Sequence, residues 1–185
     1  MKSLAMAKLE NKFKSIKIRI GILGGTFDPA HKGHLEISKQ AKKKFNLKKI
    51  IWAITKKNPF KEKSKLSLKN RIQFAKKVIK KNKFIKIKFY ENKIGSNKTI
   101  DLINYLKKDK KLEINFIMGA DNLVNFHKWH KWKSISQKCN LLVFDRQRFK
   151  DKSLKSTTFK QISKKHLTFV KFKKVNISSS QLRKI

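Results

Sequence analysis

Residues 16–23, Ile-Lys-Ile-Arg-Ile-Gly-Ile-Leu, alternate between apolar and polar and then turn wholly apolar. Such a run suits a strand entering a parallel sheet, where both faces are covered. It leads into Gly24-Gly25-Thr26-Phe27-Asp28-Pro29, a turn, and then a helix expected from about His34 to Phe45. The alternation continues. Lys49–Thr55 reads as a second buried strand, followed by a basic loop from Lys56 to Lys65. Leu68, Ile72, Ala75 and Ile79 recur with a helical period, and Phe84–Tyr90 alternates as a third strand. Thr99 is expected to cap a helix carrying Ile100, Ile103 and Leu106 on one face. Ile114–Met118 is a fourth strand ending at Gly119, and a helical stretch with Trp129 and Trp132 follows. Strand Leu141–Phe144, a less regular stretch over 145–165, strand Leu167–Phe172 and a short helix from Ser178 complete the chain.

Strands alternating with helices predict an α/β fold: a Rossmann-like, doubly wound parallel sheet in a single domain over 16–185, with 1–15 as an N-terminal extension. In such sheets ligands sit beyond the carboxyl ends of the strands, where the strand order reverses. The Gly24–His34, Lys56–Lys61, Gly119–Asp121 and Ser178–Arg183 segments all follow expected strands. They converge on one rim.

At 185 residues with 39% apolar content the chain can close one core despite its charge. A single cysteine excludes a disulfide framework. No run approaches the ~20 apolar residues of a membrane span, and the N-terminal stretch is too polar for a signal peptide. A cytoplasmic protein with no membrane partner is expected. The net charge of +39 comes from 45 Lys and only five Arg, spread from end to end. A polyanion-binding protein more often concentrates its charge and uses Arg. Lys, Asn, Ile and Phe also share A- and T-rich codons, so base composition alone could produce the bias. The favoured expectation is a solvated Lys-rich surface rather than a nucleic-acid partner. A homo-oligomer stays open.

Two adjacent glycines let the backbone approach a ligand closely, and a turn opening a helix presents amide donors to an anion. The pattern is neither a P-loop nor the dinucleotide Gly-x-Gly-x-x-Gly. His31-Lys32-Gly33-His34 follows, with two histidines three apart at a helix start. Each imidazole can donate a hydrogen bond to developing charge, more strongly when protonated. The alternatives are a helix-capping pair or a zinc site, for which the lone Cys139 offers no partner spacing.

Gly24-Gly25-Thr26-Phe27-Asp28-Pro29-x-His31-x-Gly33-His34 resembles the signature of the HxGH nucleotidyltransferases. Within them the chain is similar to the bacterial nicotinate-nucleotide adenylyltransferases. The likeness continues in Phe116–Leu123, in Trp129, and in Ile177-Ser178-Ser179-Ser180-x-Leu182-Arg183, where Ser180 stands in place of the more usual Thr. The resemblance implies transfer of AMP from ATP to nicotinate mononucleotide, giving nicotinate adenine dinucleotide and pyrophosphate. It implies an ATP site of Gly24, Gly25, Thr26, Phe27, His31, His34, Gly119, Asp121, Ser178, Ser179, Ser180 and Arg183. His31, His34 and Arg183 would do the catalytic work, with Mg²⁺ brought by the ATP. Nicotinate mononucleotide would meet Lys61, Thr99, Trp129 and His130. Asp121 reads as a ribose contact with a helix cap as the competing role, the two being compatible, and Trp129 as a ring stacker with core packing as the alternative. Lys61 is one lysine among 45. The rival readings are phosphopantetheine adenylyltransferase or a cytidylyltransferase within the superfamily, and a basic RNA-binding module outside it.

Overall fold

The computed structural model describes residues 17–60, 63–145 and 149–172. Six strands, β1 (Ile18–Gly25), β2 (Lys49–Ile54), β3 (Ile85–Lys88), β4 (Leu112–Gly119), β5 (Asn140–Phe144) and β6 (Leu167–Val170), form one sheet in the order β3-β2-β1-β4-β5-β6. Every pairing is parallel. The order reverses between β1 and β4, so the crevice expected to take a ligand opens beyond Gly25 and Gly119. The α/β doubly wound expectation holds.

Side chains two apart on a strand share a face, and here the alternation sorts them into two cores. Ile20 and Ile22 of β1, Ile114, Phe116 and Met118 of β4, and Leu141 and Val143 of β5 pack on one side. Helices α4 (Thr99–Leu106), α5 (Ala120–Val124) and α6 (Trp132–Lys138) lie against them through residues such as Ile103, Leu123 and Ile135. Leu23, Trp52, Ile117, Leu142 and Phe144 face the other way, against α1 (Lys32–Phe45) and α2 (Leu68–Ile79) through Ala41 and Ala75. Gly21 belongs at the centre of β1 for want of space, since a Cβ there would sit 2.9 Å from both Ile117 Cδ1 and Leu47 Cδ1. Among the described residues no helix is long and apolar enough to cross a membrane.

Several elements differ from the sequence-based expectation. Helix α1 begins at Lys32 because His31 caps it, and it ends on Asn46 in the left-handed region at φ 48°. Thr99 is the first residue of α4 rather than its cap, which is Lys98. Ser96 supplies the local closure instead, donating from Oγ to Asp101 Oδ2 at 2.6 Å and accepting from Lys98 N at 3.1 Å. The third and last strands are shorter than expected, and the tryptophan stretch is broken: Trp129 follows a 3₁₀ turn, Phe126–Lys128, and Lys131 is left-handed at φ 51° before α6 begins. The stretch 145–165 contains short helices of its own, Lys150–Leu154 and Thr157–Gln161, the second capped by Ser156 on Phe159 N. The expected extension over 1–15 and helix from Ser178 lie outside the described residues.

Cys139 closes α6, buried, with its Sγ donating to Ile135 O at 3.2 Å. Burial pushes its thiol up to about 12. The native protein at pH 8 should therefore resist a thiol reagent and label only when unfolded; labelling at a free-thiol rate would contradict this packing. Because the folded value is raised, this thiol supports the fold below its usual value of 9.0 and that support is lost as pH climbs toward 12.

Candidate active site

Gly24 and Gly25 end β1 beside Ala53 and Ile54 of β2. A Cβ on Gly24 would make only an ordinary contact, 3.5 Å from the Phe116 ring, and one on Gly25 would lie 3.6 Å from the Phe27 ring. Neither glycine has the positive φ that excludes side chains. The fold itself would accept alanine at both. Gly119 differs, because a Cβ there would run into the Asp121 carboxylate. Asp121 therefore folds back over the end of β4 from the first turn of α5, whose cap is Gly119 and not Asp121.

The two histidines hold each other. His31 Nδ1 accepts from Gly33 N at 3.1 Å, and His34 Nδ1 accepts from His31 N at 3.2 Å. This is a capping box written in imidazoles, with the ring centroids 3.8 Å apart. An Nδ1 that accepts an amide proton carries none itself, so each ring's proton sits on Nε2. The capping hydrogen bonds thus use the Nδ1 edge of each ring.

Beneath the pair the support is aromatic. Phe27, left-handed at φ 50°, is buried and packs its ring 5.0 Å from Trp52 and 4.8 Å from His34. Anything Phe27 offers a ligand must come from its backbone. Trp52 Nε1 donates to Ser38 Oγ at 2.8 Å, and Ser38 Oγ donates to His34 O at 2.8 Å.

Sequence reasoning missed a buried polar frame behind these residues. Asp28, 3% exposed, accepts from Lys65 N at 2.8 Å and Leu66 N at 3.1 Å. Arg71, on α2 and 2% exposed, donates to Thr26 O at 2.6 Å, Thr55 O at 2.7 Å, Lys56 O at 3.2 Å and Leu66 O at 3.2 Å. Glu91, in the short helix α3 (Glu91–Ile94), accepts from Lys56 N at 3.0 Å and from Thr55 Oγ1. Burial lowers the Arg71 pKa, and the Asp28 and Glu91 carboxylates offset part of that. The signal was present: Arg71 falls on the same helical stripe as Leu68, Ala75 and Ile79.

A polar recess of about 420 Å³ opens between Lys56, Glu91, Asn92 and the Gly95–Lys98 turn, immediately ahead of Thr99. Trp129 is half-buried, its ring 5.2 Å from Phe126 and 6.0 Å from Phe116, while His130 is exposed. Core packing and an accessible ring coexist at Trp129. Lys61, Ser178, Ser179, Ser180 and Arg183 lie outside the described residues.

The sequence model of the cytidylyltransferase-like family matches residues 22–185. A probable nicotinate-nucleotide adenylyltransferase of Pelagibacter ubique is 74% identical over 97% of this chain and 100% of its own length. A protein of the same description from Clostridium botulinum (strain Eklund 17B) is 36% identical over 90% of this chain and 84% of its own. In fold, the chain is similar to the Plasmodium falciparum nicotinic acid mononucleotide adenylyltransferase complexed with NaAD, with TM-score 0.75 at 20% identity, over 90% of this chain and 82% of that one. The sheet order, the histidine pair at its switch point and these relatives agree: the chain belongs to the nicotinate-nucleotide adenylyltransferases of the cytidylyltransferase-like family.

Proposed function

We propose that this enzyme transfers the AMP moiety of ATP to the 5′-phosphate of nicotinate mononucleotide, in the biosynthesis of NAD. The observation that supports the chemistry is the reciprocal His31–His34 cap, which holds both rings at the helix start through Nδ1 and so puts the proton of each neutral ring on Nε2. An oxygen of the acceptor phosphate attacks the α-phosphorus, the bond from that phosphorus to the β-bridging oxygen breaks, and pyrophosphate leaves with the electron pair. No protein nucleophile is required; positioning and charge stabilisation suffice.

The roles of the individual residues follow the motif. Gly24, Gly25 and the Thr26–Phe27 backbone admit the nucleotide, and His31 and His34 donate to its phosphates. Asp121 takes the adenosine ribose. Ser178, Ser179, Ser180 and Arg183 take the β- and γ-phosphates, and Lys61 the acceptor phosphate, on the strength of the motif alone. Thr99, Trp129 and His130 receive the pyridine. Mg²⁺ enters as the metal–ATP substrate, held by the phosphates and water. The setting is the cytoplasm.

The direct test offers ATP with nicotinate mononucleotide, nicotinamide mononucleotide or phosphopantetheine and follows pyrophosphate. Release with nicotinate mononucleotide is expected; release only with phosphopantetheine would move the chain to the rival adenylyltransferase. Gly24→Ala gives a finer check. Melting should be unchanged, because the fold has room for the methyl, while ATP binding weakens. Unaltered ATP affinity would remove Gly24 from the nucleotide site.

A further inference from the structure

We infer that Arg71 is a positioning residue that fixes the ATP-side turn and the acceptor-side loop in one relation to each other. The inference rests on the adenylyl-transfer reading. Arg71 touches both sides at once. Thr26 lies in the turn between Gly25 and His31, whereas Thr55 and Lys56 open the basic loop and Leu66 closes it. Asp28 ties the same turn to the loop's far end, and Glu91 ties the loop's near end to α3.

The residue type matters. Four carbonyls spread around one planar guanidinium are reachable by its fork of five donors, whereas an ammonium offers three from a single point. A buried charge is a costly way to fill space, and a packed apolar residue is often neutral or better for stability. No carboxylate lies in ion-pair contact with Arg71 among the described residues; its charge is met by carbonyl dipoles, with Asp28 and Glu91 nearby. The arrangement makes sense if the relation between the two loops is itself the function. In an in-line transfer each substrate can seat well on its own loop and still fail to react when the loops shift. Misplacement by about 1 Å can cost about 10² in rate.

The experiment compares the unmodified enzyme with Arg71→Lys and Glu91→Ala. Separate binding constants are measured for ATP and for nicotinate mononucleotide, then turnover with both saturating, per folded molecule. For Arg71→Lys each binary constant should stay near the unmodified value while saturated turnover falls roughly 10²-fold. Glu91→Ala, which keeps the guanidinium but releases one tie on Thr55 and Lys56, should lose roughly tenfold in turnover. It carries the test alone if Arg71→Lys does not fold. A folded variant with unchanged turnover, or with both binary affinities falling in step with melting temperature, would overturn the inference. If the unmodified chain makes no pyrophosphate from this pair, the functional reading fails instead. Amide exchange over residues 55–60 then decides: ATP should protect that loop in the unmodified protein and not in Arg71→Lys, and equal protection in both sinks the positioning role.

Discussion

Replacing His34 by alanine is expected to lower turnover about 10²–10³-fold with the sheet still folded, the usual cost of one lost donor to transition-state charge. A sharper version separates the two nitrogens of His34. Its Nδ1 accepts from His31 N, and its Nε2 is the proposed donor to the phosphates. Alanine loses both, and the missing cap alone should reduce stability by about 1 kcal/mol. Asparagine places a polar atom near the Nδ1 position and cannot reach as far as Nε2, whereas glutamine, the usual residue at this place in a capping box, can close the cap or extend toward the Nε2 position. His34→Asn should therefore be nearly inactive while still folded. His34→Gln should melt close to the unmodified protein and keep more of its turnover. Should the asparagine variant turn over normally, the histidine's role is structural and the donor lies elsewhere.

Nicotinate mononucleotide should be used well and nicotinamide mononucleotide poorly. The two rings differ by a carboxylate against a carboxamide of nearly equal size, so packing on Trp129 cannot separate them. Donors can: a site built to hydrogen-bond one group rejects its analogue by up to about 10⁴–10⁵ in favourable cases. Thr99 opens α4 with its hydroxyl in the first turn, beside the polar recess ahead of it, and the amides of a helix start favour an anion. The large positive charge of the chain adds attraction for the acid, though salt screens it. Trp129→Ala should weaken both mononucleotides together, and because the ring also packs on Phe116 and Phe126 it should lower the melting temperature as well. Thr99→Val should hurt the acid selectively. Equal catalytic efficiency on acid and amide in the unmodified enzyme would refute this account of the pocket.

The sheet was legible because buried strands and amphipathic helices carry different periods, and β1, β2, β4 and β5 are apolar enough to show them. What escaped were boundaries decided by side chains acting on backbone. Thr99 looked like a cap, but Ser96 closes the turn before it and moves the helix start. Over 145–165 the short helices depend on Ser153, which is fully buried, and on Ser156 capping Phe159; a polar residue in a polar-rich stretch gives no such hint. At the site the histidines were visible from spacing, yet capping and donation were set against each other as alternatives. Two nitrogens per ring allow both. Arg71 was hidden by composition, one cation among 50 basic residues, although a charge on an apolar stripe was the available sign.

The histidine cap and the Arg71 frame also differ in how far along the chain they reach. The cap closes on hydrogen bonds between residues two and three apart, so it forms as soon as the first turn of α1 does. The bond from Arg71 to Thr26 joins residues 45 apart, and that to Thr55 joins residues 16 apart. Loop-closure entropy stands against the second kind and hardly against the first. The cap is thus a short-range property of a few neighbouring residues. The relation between the two loops is a long-range one, complete only when distant stretches of chain have met, so partial opening of the molecule would keep the cap and lose that relation.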